Sequence, residues 1–261
     1  MIYRNFKFNQ LLLIGVVSLT TFPLYAETIK AKLSWSGRVT LSPLVKGYIS
    51  EVNVYPGDKV KKGDVLMRLA PDAFQANIDH FIALLKSNKS ILDEAKRELD
   101  RSTEMYERTL LSDHDLQVDK NAYVLASANH TSTLAQLKRA RIELEYSINR
   151  APFNALVIQR DAEIGQSVFP DYQPKPFIAI AEDNVMLANA WLTAVQAKQV
   201  SSINKTIKVR INGTSHEAKT LSIGLEPKSN AELLYKLTVK FKFDGQHYRA
   251  GLPAEIIVDD L

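Results

Sequence analysis

The chain has 261 residues, 46% hydrophobic and 24% charged, enough for one large domain or two small ones and too apolar for a disordered polymer. It has no cysteine, which excludes disulfides, thiolate metal sites, a cysteine nucleophile and a lipidated N-terminal cysteine. The formal charge is +4; without Arg4 and Lys7 it falls to 31 basic against 29 acidic residues, a balance that does not call for nucleic acid as a partner.

In chain order, residues 1–26 come first. Arg4 and Lys7 are followed by the apolar run Leu11 to Leu19 and then by TTFPLYA, which ends on the small residue Ala26. That order predicts a secretory signal peptide cleaved after Ala26, with an uncleaved inner-membrane anchor as the alternative. The run is far shorter than the roughly 20 residues that span a bilayer.

From Val39 to Leu69, apolar residues alternate with polar ones between the turn signals Pro56-Gly57-Asp58 and Gly63-Asp64, which predicts short, half-buried strands. From Phe74 the period changes to 3 and 4: Phe74, Ile78, Phe81, Leu85, Asn88, Leu92, Ala95, Leu99, Ser102, Tyr106 and Thr109 form one seam with charges between. This predicts a coiled-coil helix of roughly 38 residues, about 57 Å long, with Asp72 and Gln75 as its capping box. A second helix is expected over 113–148, with a more polar seam of Tyr123, Ala126, His130, Thr133, Leu137, Ala140 and Leu144. It would end before Ala151-Pro152. Two antiparallel helices packed mainly on each other are implied, projecting into water and open to contact with other copies or a partner.

LVIQRDAEIGQSV (Leu156–Val168) returns to strand alternation around Gly165. Beyond Val185, the runs VMLANAWL, TIKVRI, EAKTLSIGL, LLYKLTVKFKF and AEIIVDD predict four or five strands of a small barrel or sandwich. One short helix interrupts them behind a Thr193/Gln196 capping box.

GYISEVNVYPGDKVKKGDVLMRL (Gly47–Leu69) is similar to the first half of a lipoyl domain, and INRAPFNALVIQRDAEIGQSV (Ile148–Val168) to the second. RAGLPAEIIV (Arg249–Val258) looks like the closing strands of an adaptor barrel. With a helical insertion between the halves, the chain resembles the periplasmic adaptors (membrane-fusion proteins, HlyD-like) of tripartite pumps. The resemblance implies a mixed β and α fold: a lipoyl/biotinyl-like β domain split by a long antiparallel α-helical coiled-coil hairpin, then a small β-barrel. Its segments would be a signal peptide (1–26), an N-terminal segment with the first lipoyl-like half (27–71), the hairpin (72–148), the second half (149–183) and the barrel (184–261). No full membrane-proximal domain is expected.

Function follows the resemblance too. It implies a periplasmic, homo-oligomeric, non-enzymatic adaptor joining an inner-membrane transporter of RND, MFS or ABC type to a TolC-like outer-membrane channel. A type I protein secretion adaptor and a lipoyl or biotin carrier are the alternatives. In such adaptors the hairpin tip carries an Arg, a Leu four residues on and a Ser seven further, and these meet the channel. Arg101, Met105 and Ser112 have that spacing, with Met for Leu, an exchange that keeps an apolar side chain of similar volume. Equally, Ser112 with Asp115 is an ordinary helix cap and Arg101 an ordinary exposed residue.

Two departures from the family pattern stand out. Asn154-Ala155 replaces the usual Asp-Gly, and FPDYQPKP (Phe169–Pro176) replaces a shorter turn.

No cofactor or metal is expected. The turn where carrier domains display a lysine is taken by the hairpin at Pro71-Asp72, and Lys59, Lys61 and Lys62 read as solvated turn residues. The histidines (His80, His114, His130, His216, His247) lack metal-ligand spacing, and Asp113-His114-Asp115 is too contiguous to converge on one ion. Met67, Met105 and Met186 are too far apart for a copper site. No GxSxG, Walker A, HExxH or paired catalytic carboxylates occur.

Overall fold

A computed structural model describes residues 27–170, 176–201, 207–229, 232–244 and 248–258. The expected signal peptide, His247 and most of FPDYQPKP lie outside these residues. Two compact units divide the chain, one of Leu33–Leu187 with Lys240–Leu252, the other of residues up to Lys32 with Ala188–Val239 and residues from Pro253 on.

β1 (Glu27–Trp35) opens the described chain. Then come β2 (Val39–Leu41), β3 (Gly47–Val52), β4 (Lys59–Val60) and β5 (Val65–Leu69). The helices α1 (Asp72–Glu107) and α2 (Asp113–Tyr146) follow. After them stand β6 (Ile148–Arg150), β7 (Ala155–Arg160), β8 (Ser167–Val168) and β9 (Ile178–Glu182). Strands from both sides of the helices interleave into two four-stranded sheets, β2-β9-β7-β4 and β6-β5-β3-β8. Ile49, Leu66, Leu69, Val157, Ile178 and Ile180 fill the core they share. The split lipoyl-like domain is therefore one β unit with the helical hairpin inserted between β5 and β6.

Two tetrapeptides, Tyr55-Pro-Gly-Asp58 and Lys61-Lys-Gly-Asp64, build the same turn. The Tyr55 and Lys61 amides each donate to the aspartate three residues on, at 2.7 Å in both cases. Gly57 (φ 104°) and Gly63 (φ 94°) take a backbone angle that side chains rarely adopt. Lys59, expected in a solvated turn, lies in β4 with its ammonium 3.0 Å from Asp183 and 3.1 Å from Asn184. Where the family has Asp-Gly, the Asn154 carbonyl accepts from the Lys62 amide at 2.9 Å and Ala155 begins β7 fully buried. Glu182, at the end of β9, accepts from the Ser36 hydroxyl at 2.7 Å and pairs with Lys240 at 2.7 Å.

The remaining elements are β10 (Val185–Thr193), α3 (Ala194–Ser201), β11 (Ile207–Ile211), β12 (Thr214–Pro227), β13 (Leu234–Lys242) and β14 (Pro253–Val258). The barrel is closed, in the order β1-β10-β13-β12-β11-β14. Ile207, Val209 and Ile211 alternate inward, as do Ala254, Ile256 and Val258 beside them. Thr193 and Gln196 form the expected reciprocal box before α3, with bonds of 3.0 and 3.3 Å. One grouping changes. Residues 27–35, expected with the first lipoyl-like half, supply the sixth barrel strand, with Ile29 opposite Ile256. The stretch ETIKAKLSW lies directly after the signal-like segment and carries its alternation in only a few apolar residues.

Candidate functional site

The described residues offer no cluster of three or more metal-ligating side chains, and no helix long and apolar enough to cross a membrane. The feature that stands out chemically is the hairpin and its tip. α1 has 36 residues, about 54 Å of helix. Its start departs from expectation: Pro71 is the N-cap residue, no side chain caps it, and the Gln75 side-chain amide donates to the Asp79 carboxylate rather than closing a box with Asp72. A proline before the first turn already restricts the backbone, and Asp72 is itself the first helical residue. α2 ends at Tyr146, before the expected boundary, because Ile148–Arg150 is drawn into β6 against Val65–Arg68.

Burial follows the seam read from the sequence. Ile78, Leu137 and Ala140 form a buried apolar cluster near the base, joined by Phe81, Leu85 and Leu144. Further out the seam becomes polar. Asn88 donates to the Thr133 hydroxyl at 2.8 Å, and Ser102 donates to the Asp119 carboxylate. The partners are two heptads apart on each helix, so both layers share one antiparallel register. Tyr106 and Thr109, the last seam residues, are exposed, while Leu116 of α2 at the same end is buried.

α1 closes without glycine, asparagine or proline. The Thr109 amide donates to Tyr106 and the Leu110 amide to Met105, both at 2.9 Å. These two bonds make a Schellman motif, with Thr109 at φ 63° in the place usually taken by glycine. Ser112 then caps α2, its hydroxyl accepting from the Asp115 amide at 3.1 Å and donating to the Asp115 carboxylate at 2.6 Å. Asp113 and Asp115 put negative charge at the N-terminal end of the helix dipole.

Arg101 points into solvent from the last turns of α1, with its guanidinium 3.1 Å from Glu98. Met105 is 37% exposed and Leu110 69%. Arg101, Met105 and Ser112 thus come to one end of the hairpin, on three different local structures: a helix face, the closing turn of α1 and the cap of α2. The sequence reading does not single out Leu110 or Arg108, which pairs with Glu104, and it places Thr109 on the helical seam, whereas α1 ends at Glu107 and Thr109 lies in the turn beyond it. RTLL carries no turn residue that would mark it.

Residues 38–173 match the family described as CzcB-like, barrel-sandwich hybrid domain. Among curated proteins, 154 residues are 23% identical to the "Multidrug resistance protein MdtA" of Pectobacterium carotovorum, covering 59% of this chain and 37% of that protein. Over 130 residues the identity to the Klebsiella pneumoniae protein of the same name is 23%, covering 50% of this chain and 32% of that one. The chain spans about a third of the length of these relatives. Among solved structures, the membrane fusion protein Spr0693 of Streptococcus pneumoniae superposes with a TM-score of 0.70 at 14% identity, covering 90% of this chain and all of that one. A MacA-MexA chimera carrying the Pseudomonas aeruginosa MexA α-hairpin domain gives 0.64 at 20% identity, over 91% of this chain and 83% of the chimera. ZneB of Cupriavidus metallidurans gives 0.56 at 18%, over 89% and 97%. The match through both lipoyl-like halves and the hairpin covers more than half of the chain, which belongs to the CzcB-like barrel-sandwich hybrid domain family and has the fold of membrane fusion proteins.

Proposed function

We propose that this chain is the periplasmic adaptor of a tripartite efflux pump, a non-catalytic homo-oligomer joining an inner-membrane transporter of RND, MFS or ABC type to a TolC-like outer-membrane channel. The observation that carries the reading is the hairpin itself. A lipoyl-like β unit carries, where a carrier would show its lysine, two helices of about 54 and 51 Å that end in a capped, solvent-facing tip. Such an insertion provides reach and no chemistry. The names of relatives in multidrug resistance and membrane fusion support the same reading.

In this mechanism the β domains assemble around the transporter while the tips meet the channel end on, with Arg101, Met105 and Ser112 as the contact residues. Met105 and Leu110 offer apolar area, and Arg101 can exchange Glu98 for an acceptor on the channel at little cost, because an exposed ion pair is weak. The absence of cysteine makes the test clean. Ser112→Cys should crosslink to a single cysteine at the channel's periplasmic end in cells whose export is intact, and deletion of the chain should raise sensitivity to exported compounds. Intact export without crosslinks from position 112 rules out docking by the tip. Unchanged sensitivity on deletion rules out the efflux adaptor.

A further inference from the structure

The outward positions of the barrel strands are unevenly charged. On β11, β12 and β14 opposite charges face each other: Arg210 binds Glu255 at 2.8 Å, and Lys208 stands opposite Glu217. On β1, β10 and β13 they do not. Ile29 and Leu33 are buried, so Lys30 and Lys32 between them face outward, and both are exposed. Leu237 and Val239 are buried in β13, which leaves Lys236 exposed on the outer side. In β10, Ala190 and Leu192 are buried and Trp191 between them is 44% exposed. These three strands are neighbours in the barrel.

Two contacts set β10 against β13. The Thr238 hydroxyl donates to the Asn189 carboxamide oxygen at 3.1 Å, and the Phe243 amide to the Asn184 carbonyl at 3.1 Å. Both fit one antiparallel register, in which Lys236 stands across from Trp191. Lys228, just past β12, lies 5.7 Å from the centre of the Trp191 ring and pairs with Glu232 at 2.9 Å. Three carboxylates border this face. Glu232 and Glu255 are taken by Lys228 and Arg210, and Glu226 is exposed at the end of β12. Lys30, which stands opposite Glu255, has no ion pair among the described residues, nor have Lys32 and Lys236. Leu225, 95% exposed, and Leu233, 62% exposed, lie at the same end of β12 and β13, where the Lys228 amide donates to the Leu234 carbonyl at 2.9 Å.

We infer that the outer face of β1, β10 and β13 is a docking surface for an anionic phospholipid bilayer. Trp191 enters the headgroup layer, and Lys30, Lys32, Lys228 and Lys236 lie against the phosphates. Tryptophan suits that layer because its ring is apolar at one end and offers an N–H at the other. Lysine is depleted from protein–protein contacts, where a shaped partner favours arginine's planar fork. A hydrated ammonium on a flexible stem suits a diffuse negative surface instead, and each is worth about fivefold in partitioning there. The inference goes beyond the adaptor reading and does not depend on it.

The test uses the exported full chain with Trp35→Phe, which leaves Trp191 as its one fluorophore of that kind. Vesicles of phosphatidylglycerol mixed with phosphatidylcholine should shift the Trp191 emission to the blue, and vesicles of phosphatidylcholine alone should not. Lys30→Gln with Lys236→Gln should weaken partitioning by about 20-fold at low salt. Lys208→Gln with Lys219→Gln, on the other side of the barrel, should change it by less than about twofold. All four lysines are on the barrel surface, and an unchanged Tm verifies that each pair of substitutions leaves the fold intact. An equal shift with both kinds of vesicle, or equal losses from both pairs, overturns the inference. So does a chain that binds neither vesicle; if Lys30→Gln with Lys236→Gln then abolishes export, the face meets an acidic protein and not a lipid surface.

Discussion

The Asn88 amide donates to the Thr133 hydroxyl across the hairpin at 2.8 Å, and Thr133 passes a bond back to the Asn129 carbonyl at 3.0 Å. Thr133 is only 3% exposed, so the pair sits where a coiled-coil seam would ordinarily be apolar. A polar layer of this kind costs more when half removed than when wholly removed. Thr133→Val should lower stability by about 1–3 kcal/mol, because the Asn88 amide is left partly buried without its acceptor. Thr133→Val combined with Asn88→Leu should recover most of that loss. Thermal unfolding followed by helical circular dichroism gives all corners of the cycle, and additive losses would mean that the two side chains are not coupled.

Ser112 serves as a helix cap and as a proposed contact, and the two roles can be separated. Ser112→Ala should cost about 1 kcal/mol through the lost bond to the Asp115 amide. Ser112→Asn keeps a capping oxygen and should restore stability. If export falls with both substitutions, the hydroxyl itself is needed at the channel; if it falls only with alanine, the cap is the whole of the role.

Thr109 holds a left-handed backbone at φ 63°, which is costly for a β-branched residue. Thr109→Gly should therefore raise stability by about 1 kcal/mol, read as an increase in Tm, with the Schellman bonds unchanged. A decrease would show that the threonine side chain contributes more at the tip than its backbone strain costs.

Lys240 and, next, Ser36 hold the Glu182 carboxyl below the usual carboxylate range, with burial acting in the opposite direction. A carboxylate depressed in the folded state contributes stability that is complete above its unfolded value of about 4.3 and is lost as pH falls through the folded value. Glu182→Gln should thus flatten the acid side of the stability profile below about pH 4.5 and leave the slope at pH 7 to 8 unchanged. Urea titrations across that range would read it, and an acid slope equal to that of the unsubstituted chain would remove Glu182 as its source.

Much of the fold can be read in the order of the residues. The change of apolar period from 2 to 3.6 at Phe74 and back after Ser147 is strong because burial on a strand face and on a helix stripe demands different spacings. Ser112 was legible because a cap is a local, two-residue device. Residues 27–35 were not, since their barrel membership depends on pairing with residues 253–258 at the far end of the chain. Nor was Thr109, whose conformation is set by how the two helices must turn and is unmarked by its own type. The start of α1 failed for a related reason: Asp72 and Gln75 match a capping box, but the box depends on where the backbone enters the helix, and Pro71 moved that point.

The inserted helices also change what the β unit has to accomplish in folding. The Leu69 amide donates to the Ser147 carbonyl at 2.9 Å, although the whole hairpin stands between them in the chain. Closing a flexible loop of that length costs on the order of 4 kcal/mol in entropy. Two helices that pair through local turns remove most of that cost, since each added layer brings the ends nearer. The β strands then meet across what is, in effect, a short connection. The same arrangement makes reach a free variable: adding or deleting one heptad in both helices preserves the seam and leaves Leu69 and Ser147 side by side. Span can therefore diverge between chains of this design without any change in the sheets that carry it.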